Sequence, residues 1–210
     1  MLQGKKIALA LVSTSLLFTS LNIASAQTNP QVAVPTKPQA VDKTLQTSQI
    51  QSFDKYVKVV QNKYVLDPNI KTQTSQETVN QIQTQINAVN QKVSSNNLSI
   101  DSTSKTFVEP TISTFSLPAH EQRGYWWGTR HIFRSNAAVE NFNYGLLRTA
   151  GFATLGYLFG PGGSAAAAVS QTYILSLTND LNHYNNTHSR DKIYMDVNFT
   201  FYYSFGVWHD

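Results

Sequence analysis

Five histidines, twelve carboxylates and three tryptophans are the side chains of this 210-residue chain with the most chemistry to offer. Asp180 and His183 stand three apart, so a helix would put them on one face. His188 follows five residues later, and the three together could seed a metal site. A zinc centre needs three or four ligands at set spacing, and no His-Glu-x-x-His motif or cysteine completes this group. Histidines near a helix C-terminus are ordinarily explained by the negative end of the helix. His120, His131 and His209 stand singly. Glu121, Glu140 and Asp196 are scattered, without the spacing of a catalytic pair. There is no Gly-x-Ser-x-Gly, and with no cysteine a thiol nucleophile is excluded. Gly160-Pro161-Gly162-Gly163 runs into alanines rather than Lys-Ser/Thr, so it is not a phosphate loop. The expectation is a non-enzymatic protein with no catalytic residues, no cofactor and no metal.

Recognition is better supplied. Trp126, Trp127 and Trp208, with neighbouring tyrosines, have the chemistry to stack on sugars or to sit at a lipid headgroup layer, although packing of at least two of the three in a core is the default reading. A second candidate is the stretch Thr149–Asn179, which holds 31 residues without Asp, Glu, Lys or Arg. The Gly160–Gly163 turn divides it into two small-residue, apolar arms, predicted to form a helical hairpin. Gly156 and Gly160 form a GxxxG pattern. Ser164, Ala168, Thr172 and Ser176 continue small residues at four-residue steps on the other arm, a spacing that lets helices approach closely in membranes and in cores. The arms are 12 and 16 residues long (149–160 and 164–179). They reach about 18–24 Å, short of the roughly 30 Å hydrocarbon core. Gly156, Gly160, Ala168, Thr172, Trp126, Trp127 and Trp208 are therefore the candidate membrane- or partner-binding residues.

The chain start has the grammar of export. Lys5 and Lys6 precede an apolar segment over 7–21, and Ala24-Ser25-Ala26 is a cleavage site, so residues 1–26 read as a signal peptide. The expected location is extracellular or at the cell surface. A secreted chain without cysteine suits a Gram-positive exterior. The net charge of +4 includes Lys5 and Lys6. Beyond them the excess is too small and too dispersed for nucleic acid, which needs a clustered basic surface. The expected partners are a lipid membrane, a cell-envelope component or a second copy of the chain.

Composition changes near residue 118. All five histidines, all three tryptophans and nine of the ten glycines lie beyond it. This predicts two modules. Residues 27–46, with Pro30, Pro35 and Pro38, read as a disordered linker. Ile50, Phe53, Val57, Val60 and Tyr64 step 3-4-3-4, as do Val79, Ile82, Ile86, Val89 and Val93. With capping boxes at Ser48-x-x-Gln51 and Thr74-x-x-Glu77, they predict helices near 48–65 and 75–94, paired as a hairpin over 47–97. Residues 98–122 read as a linker with a short edge strand at 111–117. In the 123–210 domain, the aromatic run from Gly124 to Arg134 predicts a strand, and Ser135 or Asn136 is placed to cap the following helix. After the helical hairpin, strict alternation from Ile193 to Val207 predicts one long strand. The fold class is α+β: an N-terminal helical hairpin, then strand-helix-helix-strand, with an antiparallel sheet covered by the apolar hairpin.

The run Gly124-Tyr-Trp-Trp-Gly-Thr-Arg, Asn136-Ala-Ala-Val, the Gly/Ala hairpin and Asp191-Lys-Ile-Tyr-Met-Asp-Val-Asn resemble a group of small exported proteins of spore-forming and related Gram-positive bacteria. In layout the chain is also similar to bacteriocin-like precursors, with an export signal, a polar pro-region and a C-terminal apolar hairpin. That likeness implies antimicrobial, toxin-like action on membranes. The competing expectation is a cell-envelope binding module that uses its aromatic strands.

Overall fold

The computed structural model describes residues 46–107, 117–149, 152–160 and 170–210. The signal peptide, the linker up to residue 45, Ala168 and nearly all of the expected strand at 111–117 lie outside them. The class is α+β.

The first expected helix is largely a β-hairpin. Helix α1 (Thr47–Gln51) is one turn, with a capping box at Gln46 and Gln49 rather than at Ser48. Strands β1 (Val57–Val60) and β2 (Lys63–Leu66) follow. Gln61 and Asn62 both have positive φ, at 50° and 59°. This two-residue turn matches strand twist, and the β-branched residues beside it favour the pleat over the helix. Of the five stripe residues, Ile50, Val57 and Tyr64 are buried, whereas Val60 is 50% exposed. The helical hairpin over 47–97 is therefore replaced by a β-hairpin packed on one helix.

That helix, α2 (Gln76–Ser95), matches the predicted span and stripe, but its cap is Ser75 rather than the expected Thr74. Ser75 accepts a hydrogen bond from the Thr78 amide as its cap, and Val79, Ile82, Ile86, Val89 and Val93 are all buried. Asn90 clamps the hairpin to it. Its amide donates to the Tyr64 carbonyl and accepts from the Tyr64 N–H, both at 2.8 Å. Ile82 and Val57 are fully buried, so Ile82→Asp or Val57→Asp is expected to destabilise by several kcal/mol as an unpaired buried charge. Gln83→Asp, on the exposed face, is expected to stay within about 0.5 kcal/mol. Urea unfolding followed by circular dichroism checks the contrast, and equal losses in all three would contradict the burial.

The expected linker at 98–122 contributes strands. A six-stranded antiparallel sheet runs in chain order: β3 (Ile100–Asp101), β4 (Thr106–Phe107), β5 (His120–Tyr125), β6 (Gly128–Phe133), β7 (Lys192–Asn198) and β8 (Tyr203–Trp208). The single strand expected over the Trp-Trp segment is the β5–β6 hairpin, with Trp126 and Trp127 in its turn. Gly128 closes that turn at φ 153°, where an added Cβ would lie 2.2 Å from the Val197 carbonyl oxygen. The long C-terminal strand is likewise a hairpin. Asn198 Oδ1 accepts from the amides of Thr200 and Tyr202 and bends the chain there. Because the register pairs Val197 with Tyr203 and Met195 with Phe205, the alternation crosses the turn intact.

Three helices cover one face of this sheet: α3 (Asn136–Arg148), α4 (Phe152–Phe159) and α5 (Gln171–Thr187). Ser135 caps α3 and Ser170 caps α5. Phe142, Leu146, Leu158, Leu177 and Leu181 pack with Ile193, Met195 and Val197. The pairing of β6 with β7 and the helical cover agree with the strand-helix-helix-strand expectation. The expected helix that starts after Ser135 and runs into the first arm, however, is two helices, α3 and α4.

The boundary near residue 118 does not separate two cores. All described residues fall in one compact unit, and Trp126 and Trp127 belong to the cluster built from Ile50, Tyr64, Ile82 and Ile86.

Candidate functional site

The expected site residues scatter. Trp126 is fully buried and donates from Nε1 to Asp54 at 2.8 Å. Trp127 is 4% exposed and stacks on Tyr125 with centroids 4.7 Å apart. Both are core residues. Among the described residues a Cβ on Gly156 would meet nothing within 4 Å; residues 161–169, the start of the facing arm, lie outside them. The tight approach is at Gly145 of α3, where a Cβ would lie 2.1 Å from the Tyr157 hydroxyl of α4. Gly160 has φ 74° just beyond α4, the left-handed position that ends a helix. Thr172 is exposed. Asp180 accepts from the Tyr203 hydroxyl at 2.6 Å, so its carboxylate ties α5 to β8 of the sheet.

Two arrangements remain, both centred on the β5–β6 hairpin. The first joins two histidines that stand eleven residues apart. Antiparallel pairing sets His120 opposite Phe133, and Gln122 opposite His131. His131 Nε2 lies 2.9 Å from the Leu158 carbonyl oxygen, and His120 Nε2 lies 3.1 Å from His131 Nδ1. A carbonyl only accepts, so His131 carries its proton on Nε2 and presents a lone pair at Nδ1. His120 must then donate from Nε2, which leaves its own Nδ1 as an acceptor. Burial among Phe133 and Phe142 disfavours the charged rings. It holds His120 down at about 4 and His131, fully buried, at about 3, the latter also disfavoured by its neighbour.

The end of α4 is gathered by three elements. Besides His131 from β6, Lys92 of α2 donates to the Phe159 carbonyl at 2.6 Å, and Gln122 of β5 reaches the Leu158 carbonyl at 3.5 Å. A cation and N–H donors at the negative helix end satisfy carbonyls left unpaired there. Beside this junction lies a cavity of about 450 Å³, lined by Lys92, Phe107, His120, Gln122, Thr129 and Phe159 among others.

The second arrangement is on the other sheet face. Asp196, with its side chain 2% exposed, takes Arg130 in a two-pronged pair, Nε to Oδ1 at 2.7 Å and Nη2 to Oδ2 at 2.8 Å. Gln51 of α1 donates to the same carboxylate at 2.8 Å. The Arg130 guanidinium lies 4.2 Å from the Tyr194 ring centre, and that of Arg123 lies 5.1 Å from Trp208. Trp208 meets Tyr194 edge-on at 6.5 Å. Gly206 provides the seat, since a Cβ there would lie 2.4 Å from the Tyr194 ring. The result is a half-buried ledge of two guanidinium planes and two aromatic rings. Of the expected residues only Trp208 belongs to it. Arg123, Arg130 and Tyr194 were missed, although strand alternation alone puts Tyr194 and Trp208 on one face.

No family model, curated protein or solved structure matches the chain, so the geometry of the β5–β6 hairpin and its neighbours carries the functional reading.

Proposed function

We propose that the chain is a secreted, non-enzymatic protein that binds a component of the bacterial cell envelope through the aromatic face of its sheet. The observation that carries this reading is the ledge of Arg123, Arg130, Tyr194 and Trp208, half-exposed on the strands. Aromatic rings and guanidinium planes side by side offer flat apolar area together with hydrogen-bond donors, the combination that suits sugar rings. Export follows from the signal-like residues 1–26. Secreted protein is expected to be retained on purified cell-wall glycan. Trp208→Ala should weaken retention about tenfold, as expected for an interface aromatic. Unchanged retention in a folded variant would sink the reading.

Membrane action, toxin-like, through the uncharged 149–179 stretch is a second reading. It is favoured by apolar residues left on the helical layer: Tyr144, Leu147 and Leu175 are 62%, 44% and 47% exposed. The same residues suit self-association. Among the described residues no helix is long and apolar enough to cross a membrane, so on this reading the layer lies on the lipid surface. Dye release from anionic liposomes that disappears in Leu147→Glu would favour it over glycan binding.

A further inference from the structure

The cavity beside the α4 end has a hydrogen-bonding inventory that selects a ligand class. Thr129 is 3% exposed, lines the cavity, and its hydroxyl makes no hydrogen bond among the described residues. That hydroxyl can both donate and accept. His120 also lines the cavity, and its Nδ1, fixed as an acceptor by the relay through His131 to Leu158, has no partner among the described residues. Gln122 turns its NH₂ to the Leu158 carbonyl, leaving its Oε1 as a second acceptor. Lys92 brings a positive charge and sits 5.4 Å from the Phe107 ring centre. At the rim the Glu121 carboxylate is shared by Arg123 and Arg134, each at 2.6 Å. Two fixed acceptors disfavour a carboxylate or phosphate, and the two rim guanidiniums around the single Glu121 carboxylate disfavour an ammonium group. Phe107 and Phe159 supply ring surface for an apolar face. What fits is uncharged, both donates and accepts, and has C–H faces to set against aromatic rings.

We propose that this cavity binds an uncharged, hydroxyl-rich ring, with Thr129, Gln122 and His120 Nδ1 as its hydrogen-bonding partners. Its volume is at the small end of the range for ligand pockets, which suits one sugar residue. The site is separate from the Trp208 ledge, so it goes beyond the envelope reading.

The probes are glucose and N-acetylglucosamine, set against glucuronate and glucosamine as charged counterparts. Secreted protein labelled with ¹⁵N-histidine is titrated with each, and the His120 Nδ1 resonance is followed. A neutral sugar is expected to move it saturably, as a lone pair gaining a donor. The charged sugars should bind at least tenfold more weakly. Thr129→Val, close in shape, is expected to weaken the neutral sugar about tenfold through one lost hydrogen bond, with unchanged thermal stability. Trp208→Ala should leave this titration as it was, so the ledge and the cavity can fail independently. Absence of a saturable shift, equal binding of a charged sugar, or an unaffected Thr129→Val would each overturn the proposal.

Discussion

Replacing Asp196 with alanine is expected to cost the fold about 3–5 kcal/mol, the range for breaking a buried ion pair by removing one partner. The reason lies less in the strength of the pair than in what is left behind. Arg130 has a side chain only 20% exposed. Without the carboxylate its guanidinium keeps the Tyr194 ring but loses both charge-assisted hydrogen bonds. Gln51 loses its acceptor at the same time, so α1 is loosened from β7. Asp196→Asn retains the shape and one acceptor oxygen, and should cost clearly less. Urea unfolding of the three proteins decides the matter. A loss below about 1 kcal/mol for Asp196→Ala would mean that the pair behaves as a surface salt bridge.

Acid should destabilise the protein well before its carboxylates titrate. A histidine in the unfolded chain protonates near 6.5. His120 and His131 resist protonation in the fold until about 4 and about 3. Between these limits the unfolded state binds protons that the folded state refuses, so stability falls as pH falls. The contribution is complete above about 6.5. It is lost progressively down to about 4 for His120, and further to about 3 for His131. Over that window the pair is expected to remove several kcal/mol. His120, with the higher of the two values, takes its proton first, and a second proton on His131 Nδ1 then turns two donors against each other across β5 and β6. Urea midpoints from pH 7.5 to 4.5 should fall steadily, and the slope should flatten in His120→Phe/His131→Leu. A flat wild-type profile would contradict the burial of the pair. An unchanged slope in the double variant would place the proton uptake elsewhere.

Periodicity was legible where one surface decides burial. The α2 stripe and the alternation of β7 and β8 were readable because each residue's fate depends on a single packing face. The 50–64 stripe misled because Ile50, Val57 and Tyr64 satisfy both a helical step and a hairpin. The deciding signal was Gln61-Asn62, two residues able to take positive φ, next to β-branched valines. The same error hid the site. Reading Gly124–Arg134 as one strand keeps His120 and His131 apart, whereas a turn at Trp126-Trp127 brings them within hydrogen-bond distance. The Arg130–Asp196 pair was beyond local reading, since it depends on β6–β7 register across the whole helical insertion.

The shared core around Trp126 and Trp127 bears on how the protein could be made. A removable pro-region is one whose loss leaves the finished molecule intact. Here the N-terminal half supplies Ile50, Tyr64, Ile82 and Ile86 against those two rings, and Asp54 receives the Trp126 indole N–H. Cutting that half away would leave two large aromatic side chains without cover and a buried hydrogen-bonding partner missing. Separating the halves would therefore unfold the Trp126–Trp127 turn rather than release a finished C-terminal domain.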